Sequence, residues 1–196
     1  MAYAAAYAAD AAGNVGAGVF DGLRWIMILI MMVVIRFLSS RCCTLIDIKL
    51  AHVVVADDPD SPIGAVFRFF IPKHKADRLG TNGGAAMRAY PNLFNQYLCP
   101  SLAVSLWVLL CRPYIEHAYN EECAKLRTAT TAIPESIIQL RALNNLYLFP
   151  RVSSSGSLDF TKHIEHAAAS SLLKTIKDGA GFAARAFTWH GIVSVA

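Results

Sequence analysis

An uninterrupted run of eleven apolar residues, 25–35, limits what this chain can fold into more than any other feature of its sequence. Eleven residues suit a buried core helix, but the flanks extend the segment to 16–38, in which Asp21, Arg24 and Arg36 are the only charged residues. A helix of that length measures about 34 Å, and the hydrocarbon layer of a membrane is about 30 Å thick. The sequence therefore predicts a transmembrane helix over 16–38, with the central helix of a folded core as the alternative.

Side chains typical of a lipid interface lie at the ends of this predicted span. Arg24 and Arg36 can extend their charged groups toward the lipid head groups, and Trp25 stands where an interfacial aromatic residue is expected. Two further basic residues, Arg41 and Lys49, follow the span. The sequence therefore predicts that these five residues contact lipid head groups or the interface, with anionic lipids among the partners of the protein.

Two glycines at the start of the span, Gly18 and Gly22, are four residues apart. Small residues at this spacing allow two helix backbones to approach closely, which predicts packing against another helix. Because Ala and Gly are common in this part of the chain, chance is the alternative explanation.

A second membrane segment is predicted over 93–112. No Asp, Glu, Lys, Arg or His occurs between residues 89 and 111, and the second half of that stretch is largely apolar. Pro100 would either kink a helix here or start one. A second span, a re-entrant or interfacial helix and a buried helix all remain open.

The region between the two segments, 39–92, is expected to lie outside the membrane. Apolar and polar residues alternate along 45–55, and 63–71 is rich in β-prone apolar residues. The stretch 56–62 between them is rich in Asp and Pro, as turns are. These patterns predict a β-hairpin, followed by a basic loop.

The remaining parts are an Ala-rich N-terminal segment, 1–15, and an amphipathic helical region, 113–196. Pro113 and Pro134 can each open a helix, and Asp159 is a candidate N-cap for a helix that ends near Gly179. Apolar residues in this last segment recur every four positions and predict one buried stripe: Phe160, Ile164, Ala168, Leu172 and Ile176.

The composition explains why we expect partners. Hydrophobic residues make up 55% of the chain and charged residues only 16%, against about 25% charged in an average domain. This excludes an intrinsically disordered chain and argues against a freely dispersed monomer. The cysteine count is five, which is odd, and no C-x-x-C is present, so reduced and buried thiols are expected.

No catalytic or metal-binding pattern is convincing. Asp159, His163 and His166 would share one side of a helix and could hold a metal, but the same side carries lysines, so a solvated polar face is favoured. The acidic residues of 57–60 suggest calcium, but Pro59 and Pro62 break the pattern of a calcium-binding loop, so an exposed acidic turn is favoured. We predict no catalytic residue, no cofactor and no metal.

Basic residues interleaved with aromatic ones over 67–88 leave a nucleic-acid surface as an alternative. These aromatic residues fit strand packing equally well, and the basic ones fit lipid head groups.

Together these patterns predict a mainly α membrane protein with one or two transmembrane helices, a short β-hairpin element and amphipathic C-terminal helices. The predicted function is that of a non-catalytic accessory subunit of a large multisubunit membrane complex. Its partners would be the other subunits and anionic lipids, with no nucleic acid and no small-molecule substrate. A respiratory-chain or ATP synthase assembly of the mitochondrial inner membrane is the first expectation. The alternatives are a peripheral RNA-binding subunit of a ribonucleoprotein and a small membrane enzyme with a His/Asp metal site.

Overall fold

The computed structural model describes residues 18–38, 42–71, 85–129, 133–153 and 157–179. Its α-helices are α1 (Gly18–Leu38), α2 (Cys42–Ile46), α3 (Pro100–Ala129), α4 (Glu135–Asn145) and α5 (His166–Gly179). Its strands are β1 (Val53–Asp57), β2 (Ala65–Ile71), β3 (Ala85–Ala89), β4 (Pro150–Val152) and β5 (Leu158–His163). Short 3-10 helices span Leu50–His52 and Gln96–Leu98.

Helix α1 is the central helix of the protein's own core. Met27, Met31, Val34 and Ile35 have no exposed surface, because α1 packs against α3, α5 and β3. A helix that is apolar on nearly all sides is stable only when it is covered on nearly all sides. In α1 the cover is protein.

The predicted transmembrane helices are therefore wrong. Within the described ranges, no helix has both the length and the apolar character needed to cross a lipid bilayer. Within the apolar run 25–35 most side chains pack into the protein's own core. Most of 93–112 falls in the first half of the 30-residue helix α3, whose second half is rich in charged residues. The mainly α membrane fold is replaced by a mixed fold of helices and two small antiparallel sheets, and the integral-membrane localisation, with the mitochondrial inner membrane as its first expectation, is overturned with it.

The first sheet has the strand order β1-β2-β3, and both of its pairings are antiparallel. Its second strand, β2, lies inside the apolar stretch 63–71 from which the sequence predicts a strand. The first strand begins only at Val53, because the chain before it forms α2 and a 3-10 turn. Gly64 closes the connecting loop at a φ of +70°, a conformation that glycine adopts without strain.

The second sheet pairs β4 with β5, where the sequence predicts a helix starting at Asp159. The Asp159 carboxylate does not cap a helix but accepts hydrogen bonds from Thr161, at 3.0 Å from the amide nitrogen and 2.6 Å from Oγ1. Phe160 is buried as part of strand β5, and the helix begins only at His166. The predicted stripe is consequently displaced, since Ala169 is buried while Ala168 is exposed.

Helix α3 connects two apolar clusters. Its first half packs against α1 with Val104, Trp107 and Cys111 in the main core. Its second half meets α4 in a small separate cluster of Cys123, Ile138 and Ala142. Pro113, which is predicted to open a helix, lies inside α3 instead, about midway between the two clusters.

Candidate interaction surface

The outer side of the first half of α3 carries leucines that face solvent. Leu102, Leu106 and Leu109 are 40%, 46% and 64% exposed. At 100° per residue they lie opposite the side that carries the buried Val104 and Trp107. Helix α3 is therefore apolar on both sides here, and only one side is covered.

The loop that leads into α3 extends this exposed surface. Leu93, Phe94, Tyr97 and Leu98 all face solvent, and Phe94 is fully exposed. The loop runs directly into the first turn of α3, and its 3-10 turn, Gln96–Leu98, packs close to that helix.

Side-chain hydrogen bonds hold this loop in shape. The Asn92 Oδ1 accepts from the amides of Phe94 and Asn95 at 3.1 and 3.0 Å. The Asn95 Oδ1 accepts from the Tyr97 amide at 3.0 Å. Ser101 then donates from its hydroxyl to the carbonyl oxygen of Ala89 at 2.9 Å, which fixes the start of α3 to strand β3. The aromatic side chains of the loop therefore lie on a turn that hydrogen bonds stabilise.

We call this surface the apolar face. It consists of the exposed large apolar residues of the loop and of the leucine side of α3: Leu93, Phe94, Tyr97, Leu98, Leu102, Leu106 and Leu109. From their exposed fractions they present on the order of 1,000 Å² to solvent, whereas the largest apolar patch of a typical monomer covers about 300–600 Å². A surface of this size and chemistry is typical of a protein interface.

The charges that flank the apolar face are each paired within the chain. Arg88 Nη1 lies 3.3 Å from Asp58 Oδ2, and Arg112 Nε lies 2.6 Å from Glu116 Oε1. Hydrogen bonds, to Tyr90 for Arg88 and to Glu116 for Arg112, together with the neighbouring carboxylates, raise the pKa of both guanidinium groups. Among the described residues, these two cations that flank the face in the sequence are therefore each paired with a carboxylate of their own chain.

Cys111 lies beneath the face, and burial raises the pKa of its thiol, which keeps the sulfur protonated and a poor nucleophile. In the described parts of the chain, no group of three or more His, Cys, Asp and Glu residues is placed to hold a metal ion.

A cavity of about 330 Å³ lies elsewhere, between α1, strand β4 and α5. Its polar lining includes Arg24, Arg151 and Glu165, and its apolar lining includes Ile164 and Leu172. Charges of both signs line the cavity, so its chemistry does not select one class of ligand.

The residues predicted to contact lipid are separated in the fold. Arg24 donates from Nη2 to the carbonyl oxygen of Ser153 at 2.8 Å, and Lys49 Nζ lies 3.0 Å from the ring centroid of Tyr147. Trp25 and Arg36 are half-buried on α1. Arg41 lies outside the described residues. Their assignment to lipid head groups stays a prediction.

The predicted glycine packing also stays a prediction. Gly18 and Gly22 both lie in the first turns of α1. A Cβ built on Gly22 would meet no atom within 4 Å, so this position has space beside it.

The residues of the predicted metal site do not share a helix. Asp159 and His163 lie in β5, and His166 begins α5. The Asp159 carboxylate accepts a hydrogen bond from Thr161. The Nδ1 atom of His163 forms a 2.9 Å hydrogen bond with the carbonyl oxygen of Ile164. The helical spacing on which that candidate depends is absent because the segment is a strand.

Two of the three aromatic residues of the possible nucleic-acid surface face the core, whereas Phe70 is 40% exposed and lies on the same face of β2 as Arg68. Phe69 is fully buried and Phe67 packs against the core. Arg68 alternates with them along β2 and is in register with Arg88 of β3. The remaining basic residues of this candidate, within 73–78, lie outside the described residues.

The described residues thus form a mixed helix and sheet fold with an exposed apolar face. The chain matches no protein-family model and no curated protein. These comparisons therefore do not support a respiratory-chain or ATP synthase role. Because the predicted transmembrane helices are also wrong, both assignments are withdrawn.

Proposed function

We propose that this chain is a non-catalytic subunit of a multiprotein assembly and that the apolar face is where it contacts a protein neighbour. The membrane setting expected from the sequence is not part of this proposal. The observation that carries it is the apolar face itself, with Phe94 fully exposed and the leucines of α3 turned away from the core.

The size and chemistry of the face support a protein partner. A standard interface buries about 800 Å² on each partner, and the apolar face presents an area of that order. Interface centres are depleted in charged residues and enriched in aromatic ones, and the stretch between residues 89 and 111 has no Asp, Glu, Lys, Arg or His.

The test is the native size of the full-length, tagged chain in extracts of its own cells, with a matched pair of variants. Leu106→Lys places a charge in the apolar face. Ala124→Lys places the same charge on the same side of α3, about five helical turns later, at an exposed position outside the face. We expect the wild type and Ala124→Lys to migrate in one assembly of constant composition on native gels, identified by mass spectrometry.

Leu106→Lys is expected to leave that assembly. If Leu106→Lys migrates with the wild type, or if the wild type migrates as a single chain of 21.3 kDa, the proposed function is wrong.

A further inference from the structure

We infer that the neighbour that covers the apolar face is a second copy of this chain. The two copies pair about a two-fold axis, with the first halves of their α3 helices antiparallel. This inference depends on the proposed function, because it names the partner of the same surface.

The spacing of the exposed residues fits helix-to-helix packing. Leu102, Leu106, Leu109 and Pro113 follow one another at intervals of four, three and four residues along the solvent side of α3. This spacing produces a straight apolar seam along a helix, and two such seams pack with their axes about 20° from parallel or antiparallel. A two-fold axis near Leu106 places the seam of one copy on the seam of the other.

The charge distribution permits pairing with a copy of the same chain. A two-fold interface is self-complementary, so it brings each patch against the same patch of the partner. A charged patch would repel itself, but the apolar face has no ionic side chain, and the flanking Arg88 and Arg112 are paired with Asp58 and Glu116 of their own chain. Two copies can therefore meet without like charges facing each other.

The available area is sufficient for a stable dimer. Pairing of about 1,000 Å² from each copy would bury up to roughly 2,000 Å² in total, at the upper end of the range for standard interfaces. The second half of α3 is polar on the same side, where His117 and Glu121 form an exposed pair at 3.4 Å, so the seam ends after Pro113.

The first test is the mass of the purified full-length chain by light scattering between about 1 and 100 µM. The wild type and Ala124→Lys are expected at twice 21.3 kDa. Leu106→Lys is expected as a single chain, with dimer affinity reduced about 100-fold, as is typical when a central interface residue is replaced. Far-UV circular dichroism confirms that each variant is folded.

The second test is disulfide crosslinking. Leu106→Cys places a thiol near the two-fold axis, and mild oxidation is expected to join two copies. Ala124→Cys, on the same side of the helix but outside the seam, is expected to remain a single chain on non-reducing gels. The wild type controls for the natural cysteines, of which Cys99, Cys111 and Cys123 are buried.

A wild type that stays at 21.3 kDa at 100 µM, a dimer unaffected by Leu106→Lys, or no crosslink through Leu106→Cys would each overturn the pairing. If the purified chain is a monomer but Leu106→Lys still leaves the native assembly, the face binds a different protein, so the pairing fails and the proposed function stands. If Leu106→Lys changes neither the purified mass nor the native assembly, both fail.

Discussion

The indole nitrogen of Trp107 donates a 2.7 Å hydrogen bond to the carbonyl oxygen of Leu148. This bond joins the first half of α3 to the segment just before β4. The Leu148 amide in turn donates to the carbonyl oxygen of Ile48 at 2.8 Å, and the Trp107 ring stacks on Phe149 with centroids 6.4 Å apart. One fully buried residue thus connects three separate parts of the chain.

Replacing Trp107 with Phe tests this connection. The change leaves the Leu148 carbonyl without its donor in a buried place and opens a small cavity, so the free energy of unfolding is expected to fall by about 3 kcal/mol. Urea denaturation measures the loss. The control is Trp25→Phe, on the half-buried side of α1, with an expected loss below about 1 kcal/mol. Equal losses of unfolding free energy in the two variants would mean that the Trp107 hydrogen bond does not stabilise the fold measurably.

Two residues of α1 distinguish a protein-covered helix from a lipid-covered one. Met31 has no exposed surface, while Leu29 is 50% exposed. In a protein core Met31→Ala leaves a cavity and is expected to destabilise by about 2–5 kcal/mol, and Leu29→Ala by about 1 kcal/mol or less. Thermal unfolding of both variants in detergent-free buffer measures the difference. Similar effects at the two positions would contradict the core position of α1.

Asp58 holds the β1–β2 loop against β3. Its carboxylate is almost fully buried, accepts the Asp60 amide at 3.1 Å and lies 3.3 Å from Arg88 Nη1. Asp58→Ala leaves these donors without their acceptor and is expected to cost about 2 kcal/mol in urea denaturation. The exposed neighbouring Asp57→Ala is the control, expected within about 0.5 kcal/mol of the wild type.

Glu122 gives the fold an acid-sensitive point between α3 and α4. A 2.8 Å hydrogen bond from Lys125, helped by one of 3.1 Å from Asn145, lowers the pKa of the Glu122 carboxyl although its partial burial raises it. A lowered folded-state pKa means that the unfolded chain takes up the proton first. The stabilisation is therefore complete above the ordinary glutamate pKa and is lost as the pH falls through the folded value.

Glu122→Gln is expected to be about 1 kcal/mol less stable than the wild type at pH 7. This difference should shrink as the pH is lowered below about 4, where the wild-type carboxyl becomes neutral too. Urea denaturation at a series of pH values measures it. Glu116→Gln, which removes an exposed ion pair with Arg112, is the control and should change little at any pH. A difference that does not vary with pH would contradict the role of the Glu122 charge.

Local sequence patterns predicted the positions of several helices and strands but not what these elements pack against. Pro100 begins α3, as a proline at the first helical position should, and β2 lies within the predicted apolar stretch 63–71. The run 25–35 is helical, yet its apolar side chains suit lipid and protein equally. What decides between them is contact with α3 and α5, whose residues are distant in the sequence.

The exposed apolar face was not predictable for a related reason. Residues 102–111 are apolar on both sides of α3, so periodicity cannot show which side is covered. Asp159 illustrates the same limit at a single residue, because its carboxylate can cap a helix or bond to a residue two positions later in a strand. Pairing of β5 with β4 determined the outcome.

The length of α3 determines which part of the protein unfolds locally. Its 30 residues measure about 45 Å, nearly three times the radius of gyration of about 16 Å expected for a compact chain of this size. The far end therefore leaves the main core and relies on its small cluster with α4. The backbone nitrogen of Pro113 carries no hydrogen, so one helical hydrogen bond is missing between the two ends. In hydrogen exchange we expect amides near Cys123 and Ile138 to exchange through a local opening, while those near Trp107 exchange only when the whole chain unfolds.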